Sequence, residues 1–448
     1  MTDTLADLSQ RLLDHAKSAG ADAADVLAVR GSSMSVDVRN GALEQAERSE
    51  STDIGLRVFI GQRVANVSSS DVRAQSFEIM ADRAVAMARE APEDPYVGLA
   101  SSDQLATNTN ADLLELFDPT PEPSPALLET DARDAEAAAL AVEGITQVSG
   151  SSANYGTQDV FLAASNGFAG GYRRSSRSIS CVAIAGTGTE MERDYDGDQR
   201  IFQSDLRTAQ DIGESAARRT LERVSPKKPK TGAYPVLFDE RISSSVIGHL
   251  LTAINGTSIA RRSSWALDLL GKEVMPADLS LIEDPTRLRV SGSRPFDAEG
   301  LPTQTRSIVK DGVLTGWTLD LASARKLGLP PTANAARSTA GGPGPTVWNV
   351  GLTQGDMSKE DLIAQMGTGL VVTSMIGSTI NPNTGDYSRG AAGFWVENGQ
   401  MAYPVSGVTI AGNLRDMLKR MTPANDARPW LSRVVPSLLV EGLTLAGE

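Results

Sequence analysis

Two histidines, His15 and His249, and one cysteine, Cys181, are the soft metal ligands in a chain of 448 residues. A catalytic zinc ion draws three protein ligands from histidine, cysteine and carboxylate and keeps a fourth position open for water. His15 falls on an amphipathic stretch near the N-terminus and Cys181 in the strand-like SISCVAIAG, so His249 has no evident soft partner. Ser245 precedes His249 by four residues, which on a helix sets a hydroxyl beside an imidazole. A nucleophilic serine is ordinarily mounted on the sharp turn of a G-x-S-x-G motif, and that motif does not occur. Glu190, Glu192, Asp194, Asp196 and Asp198 alternate, and on a strand would share a face able to hold a hard cation. The calcium-loop pattern fails, because Gly197 precedes Asp198 and no glutamate follows at the right distance, so a solvated hairpin around Asp196-Gly197 is expected. Neither G-x-x-x-x-G-K-[ST] nor G-x-G-x-x-G is present, and GGPGP at 341–345 carries too much proline to offer successive N–H groups to a phosphate. Cys181, alternating with apolar neighbours, reads as a small buried hydrophobe.

The most suggestive polar cluster is NPNTGDYSRGAAGFWVENGQ, residues 381–400. Turn formers and small residues bring Asp386, Ser388 and Arg389 together ahead of a hairpin containing Trp395, a pattern suited to lining a groove. Arg261 and Arg262, in ARRSSW, could bind a carboxylate there. With His249 these residues form the candidate substrate cleft.

The elements that must position them read as follows. Leu5, Leu8 and Leu12 mark an amphipathic helix over 3–19 that stops before Gly20. Met34, Val36 and Val38 alternate up to Asn40-Gly41, and Ile54, Leu56, Val58 and Ile60 up to Gly61-Gln62, which predicts a β-meander. Phe77, Met80, Ala84 and Met87 predict a covering helix over 71–91, with both methionines in the core. A proline-rich strap at 92–125 leads to an alanine-rich helix at 124–143, strands around Asn166-Gly167 and a helix at 203–224. After a linker at 225–232, YPVLFD reads as a strand and 239–255 as a helix. Beyond it strands and turns dominate, with hairpins at Asp311-Gly312 and Asn398-Gly399 and one helix capped by Ser358 and Asp361. The fold class is therefore α+β: an N-terminal half of antiparallel sheet with covering helices, over 1–225, and a β-rich C-terminal half, over 233–448.

Composition narrows the function. A formal charge of −14 and a pI near 4.8 oppose nucleic-acid binding, and Lys227, Lys228 and Lys230 belong to a proline-interrupted linker. No apolar window is long enough to span a bilayer, which argues against a membrane partner. The lone thiol, and a start in MTDTLADL without the basic and apolar regions of an export signal, predict a cytoplasmic protein.

The strings FDERISSSVIGHLLTAINGTSIARRSSW, RPFDAEGLPTQTRSIVKDGVLTGW, LGLPPTANAAR and NPNTGDYSRGAAGFWVENGQMAYPVSGVTIAGNL carry a resemblance over essentially the whole length. The chain resembles the TldD/PmbA family, also called the modulator of DNA gyrase family, in its PmbA (TldE) branch. The resemblance implies a cytoplasmic two-subunit metallopeptidase that cuts unfolded or peptide-like substrates. In it a TldD-type subunit holds zinc through an H-E-x-x-x-H helix and a downstream cysteine. Laid on this chain, that motif places Ser244 and Ser245 where the first histidine and the glutamate stand, retains His249, and sets Trp395 at the cysteine. Serine hydroxyls are poor zinc ligands and indole is a donor only. The expectation is a non-catalytic subunit without its own cofactor, beside a zinc-bearing TldD-like partner, with a homodimer available when that partner is absent. The alternative is a stand-alone peptide-binding or regulatory protein.

Overall fold

The computed structural model describes residues 3–447. Helix α1 (Leu5–Ser18) starts where Thr4 and Asp7 close a reciprocal capping box, and it buries Leu5, Leu8 and Leu12. Strands β1 (Ala23–Arg39), β2 (Ala42–Ile60) and β3 (Arg63–Ser69) form the expected meander, and Asn40, Gly41 and Gly61 take positive φ at its turns. Helix α2 (Ala74–Glu90) buries Phe77, Met80 and Ala84, but Met87 is 44% exposed, so one methionine of the pair enters the core. After the strap come α3 (Pro125–Leu140), β4 (Ile145–Ala164), β5 (Ala169–Ala185), β6 (Glu192–Arg200) and α4 (Ala209–Leu221).

These strands make one antiparallel sheet in the order β3-β2-β1-β4-β5-β6. Side chains alternate between its faces. Val26 and Ala28 pack with α1 and α2, and Met34, Val36 and Val38, on the same face of β1, pack with α3 and α4. Leu27 and Leu162 on the opposite face meet Phe296 of the C-terminal half. That second face looks toward the C-terminal half, and it later forms the floor of a groove.

The acidic segment corrects the sequence reading. Asp196-Gly197 is not a hairpin tip: β6 runs straight through it, paired with β5 from Glu192 to Arg200. Asp194 and Asp196 are buried, the first against Arg223 and Arg241, the second against Arg207 and Arg219. Guanidinium groups brought from α4 and beyond neutralise the carboxylates and let them lie inside.

The C-terminal half begins with β7 (Gly232–Phe238), α5 (Glu240–Ala253) and α6 (Gly256–Ala260). The first three strands of a five-stranded sheet follow, β8 (Leu281–Glu283), β9 (Arg306–Lys310) and β10 (Val313–Leu314). Helix α7 (Leu321–Leu327) precedes β11 (Ala335–Ala336), β12 (Gly344–Pro345) and β13 (Val350–Leu352). Ser358 and Asp361 cap α8 (Lys359–Met366) as expected. Then come β14 (Gly369–Ile380), β15 (Asp386–Glu397), β16 (Gln400–Asn413), α9 (Leu414–Lys419), β17 (Met421–Pro423), β18 (Arg433–Val434) and β19 (Leu438–Ala446). The order β16-β15-β14-β7-β19 closes into a barrel because β16 also pairs with β19. Helix α5 contributes Val246, Ile247 and Leu250 to the core that contains Val236, Phe238 and Val440, while Leu237, Val371 and Leu439 on the alternate face pack under α8. Helices α6, α7 and α9 were not read from the sequence; each is seven residues or shorter, too brief for periodicity to register.

A buried ionic cluster joins the halves. Asp25 of β1 accepts from Arg57 of β2 and from Arg337 of the loop after β11, and Glu299 lies 3.8 Å from Arg57. The same loop crosses β2 at Gly55, where a Cβ would stand 2.0 Å from the Thr339 carbonyl oxygen, so a side chain there would collide with backbone.

Candidate functional site around helix α5 and the sheet groove

Helix α5 follows β7 directly, with Asp239 as N-cap accepting from the Arg241 N–H at 3.1 Å. Its apolar side enters the core, which turns Ser244, Ser245 and His249 toward the partly exposed side. Ser245 Oγ donates to the Ile242 carbonyl at 2.7 Å, within its own helix, and not to His249. The His249 ring meets Tyr387 edge-on at 5.7 Å, and its Nε2 is buried with no hydrogen-bond partner among the described residues. Burial, and secondarily the Arg389 guanidinium, push its pKa down to about 4, so the imidazole is neutral near pH 7. This donor set does not fit zinc. Two hydroxyls and one imidazole line the helix, and no group of three or more His, Cys, Asp or Glu able to hold a metal occurs among the described residues.

The other candidate residues do not converge on one groove. Arg389 lies with His249 and Tyr387, its Nε donating to the Gly377 carbonyl at 2.7 Å. Burial pushes the Tyr387 hydroxyl up to about 12, and that hydroxyl donates to the Met375 sulfur at 3.2 Å. Asp386 and Ser388 alternate with these two and point to the opposite face of β15. Asp386 accepts from Thr384 Oγ1 at 2.6 Å and Asn413 Nδ2 at 3.1 Å, bonds that hold its carboxyl below the usual range and fasten the turn. Trp395 is buried edge-on against Tyr234, with its indole N–H on Glu397. About 25 Å of strand separates its backbone from Tyr387, so Trp395 does not stand beside His249. Arg261 and Arg262 are exposed at the end of α6, and among the described residues neither has a carboxylate at ion-pair distance. Three residues on, Trp265 packs against Gly385.

The segment 428–435, which sequence reasoning passed over, borders α5 instead. Arg428 pairs with Glu240 at 2.6 Å, and the Val435 carbonyl accepts from Ser243 Oγ at 3.2 Å. Arg433 Nη1 lies 3.2 Å from where a Gly248 Cβ would stand. Trp430, Leu431 and Ser432 of this segment overhang a cleft of about 600 Å³ whose floor is the second face of the first sheet, at Gly31, Ser33, Ser49, Ser51 and Ser176. The available signal was the lapse of apolar alternation into small polar residues midway along β1, β2, β4 and β5.

A long-stranded sheet packed by α1 to α4, joined to a barrel that carries α5, defines a two-part α+β scaffold, and the cleft beneath Trp430 lies between its halves. Family models match along it in three parts: PmbA/TldA metallopeptidase domain 1 at 24–88, the central domain at 116–224 and the C-terminal domain at 231–447. Metalloprotease PmbA of Escherichia coli O157:H7 is 39% identical over 434 residues, covering 96% of this chain and 94% of that protein. A crystal structure from Bacteroides thetaiotaomicron, described as a modulator of DNA gyrase, superimposes with a TM-score of 0.92 at 28% identity, covering 100% of both chains. TldE from Thermococcus kodakarensis shares the fold, with a TM-score of 0.85 at 19% identity over 98% of this chain and 99% of that one. The chain belongs to the TldD/PmbA metallopeptidase family.

Proposed function

We propose that this chain is the non-catalytic, PmbA/TldE-type subunit of a cytoplasmic zinc peptidase, and that it shapes the substrate channel while a TldD-like partner supplies zinc. The observation that carries the reading is α5. At the positions where the family's zinc helix has histidine and glutamate it presents Ser244 and Ser245, and its His249 is packed neutral against Tyr387. The bound zinc of the partner would activate water for peptide hydrolysis. This chain's own residues contribute by placement: segment 428–435 holds α5 at one side and roofs the sheet groove at the other, where an unfolded or peptide-like substrate would lie extended. Subunits of one family would meet across a pseudo-two-fold interface, and the same patch would allow a homodimer when the partner is absent. The acidic composition supports no direct contact with DNA.

The test is metal content together with peptide hydrolysis, for the chain alone and after mixing with a TldD-like subunit. Neither zinc nor cleavage is expected from the chain alone, and both from the mixture. Stoichiometric zinc with chelator-sensitive cleavage by the isolated chain would overturn the reading.

A further inference from the structure

We propose that the groove between the second face of the first sheet and the C-terminal loops is a subsite for an extended peptide, in which Arg174 takes a carboxylate of that peptide. This deepens the subunit reading by naming a substrate feature. The cleft of about 600 Å³ beneath Trp430 continues into a second of about 390 Å³, and Gln158 and Arg174 line both. Along β1 the combined floor runs from Leu27 to Ser33, about 20 Å, the length of roughly six extended residues. Its two ends differ in character. Small hydroxyl-bearing and glycine positions leave room for a main chain at one end, while Leu27, Val160, Leu162 and Phe296 offer an apolar wall at the other.

Arg174 stands where the two meet. Its Nη groups donate to the carbonyls of Ser291 and Ser293 and its guanidinium lies 4.8 Å from the Tyr172 ring centre, which fixes its position without neutralising it. Two of its five N–H groups are used in this way. Of the other arginines of the groove, Arg200 pairs with Asp198 at 3.0 Å, Arg289 with Asp205 and Glu115, and Arg337 with Asp25, while Arg294 lies over the Trp348 ring, 3.6 Å from its centre. In a chain of net charge −14, a positioned guanidinium with no carboxylate at ion-pair distance among the described residues favours one negative group. A polyanion is disfavoured, because Glu115 and Asp205 flank the same groove. Trp430, 37% exposed with the Arg200 guanidinium 4.2 Å from its ring centre, gives an aromatic platform at the polar end.

The carboxylate could be the peptide's C-terminus or an acidic side chain. The experiment measures fluorescence anisotropy of labelled serine/alanine peptides of about six residues with the full-length chain. The peptides are a free acid, its C-terminal amide, and an amide with one internal glutamate. The native chain is expected to bind a carboxylate-bearing peptide about tenfold more tightly than the plain amide. The free acid winning assigns the terminus; the glutamate peptide winning assigns the side chain. Arg174→Gln should abolish that preference, and Ser33→Trp, which fills the floor without touching Arg174, should abolish binding of all three. Equal affinity for all peptides, a preference that survives Arg174→Gln, or binding unchanged in Ser33→Trp overturns the subsite. Cleavage by a mixture with a TldD-like subunit that is unaffected by Arg174→Gln overturns the subsite while the subunit reading stands. Carboxylate-selective binding without cleavage in the mixture does the reverse.

Discussion

Removing the Asp25 carboxylate should cost the protein about 3–5 kcal/mol, the range for breaking a buried ion pair by deleting one partner. The side chains of Asp25 and Arg337 are each 2% exposed and that of Arg57 7%. Asp25 takes Arg57 Nε at 2.9 Å and Arg337 at 2.5 Å. Burial works against its ionisation, but Arg337 and Arg57 outweigh it and hold the pKa below the ordinary value of 3.8. A depressed carboxylate contributes stability that is present above its unfolded pKa and lost as pH falls through the folded one. In Asp25→Ala, Arg57 is left with Glu299 at 3.8 Å, a carboxyl that burial keeps largely protonated near neutral pH, and Arg337, with Nε and one Nη already buried without partners, loses its ion pair to Asp25. The loss should therefore arise at both guanidinium groups, and through Arg337 it reaches the loop that ties the C-terminal half to β1 and β2. Urea unfolding of the purified chain near neutral pH measures it. Asp25→Leu combined with Arg337→Met should recover part of the lost stability, because it removes one of the two guanidinium groups that Asp25 neutralises and leaves Arg57 alone uncompensated. A loss below about 1 kcal/mol, the scale of an exposed pair, or a double variant weaker than Asp25→Ala, would refute the reasoning.

Two further outcomes follow from buried titratable groups. Burial first, and Asp297 second, raise the Glu299 carboxyl above the usual range, so the native state holds a proton there that the unfolded chain has released. Its contribution is full below the ordinary value of 4.5 and is lost as pH rises through the raised one, so Glu299→Gln should flatten the fall in stability from about pH 5 to about pH 8; an unchanged slope would count against this. Cys181 is fully buried and burial pushes its thiol up to about 12, so a thiol-specific reagent should leave the native protein unmodified and label one site on unfolding. Stoichiometric labelling of the native chain would contradict that burial.

What could be read from the sequence was local. Asn40-Gly41, Asp311-Gly312 and Asn398-Gly399 turn where they were expected to, because each pair takes the positive φ that these residues tolerate. Asp196-Gly197 carries the same signal and stays extended, since its ladder to β5 and its ion pairs to distant arginines outweigh the turn. Barrel closure by β16 against β19, and the parallel pairing of β7 with β14, join segments far apart in the chain and leave no local trace. The site follows the same division. The 381–389 turn was legible as a cluster, yet strand alternation divides it, sending Arg389 toward His249 and Asp386 and Ser388 the other way. The groove draws on positions near 31, 157, 175, 291 and 430, so no single window of sequence contains it.

Helix α5 is held in place independently of Ser244, Ser245 and His249. Asp239 caps it and pairs with Lys359 at 2.5 Å, Glu240 pairs with Arg428, and Ser243 bonds the Val435 carbonyl. None of these tethers uses Ser244, Ser245 or His249, so the side chains on the partly exposed side are independent of those that hold the helix. Two of the three tethers end on the segment that also places Trp430 over the groove. The fold therefore couples the position of α5 to the shape of the groove through segment 428–435, and that coupling persists whatever side chains face outward from the helix.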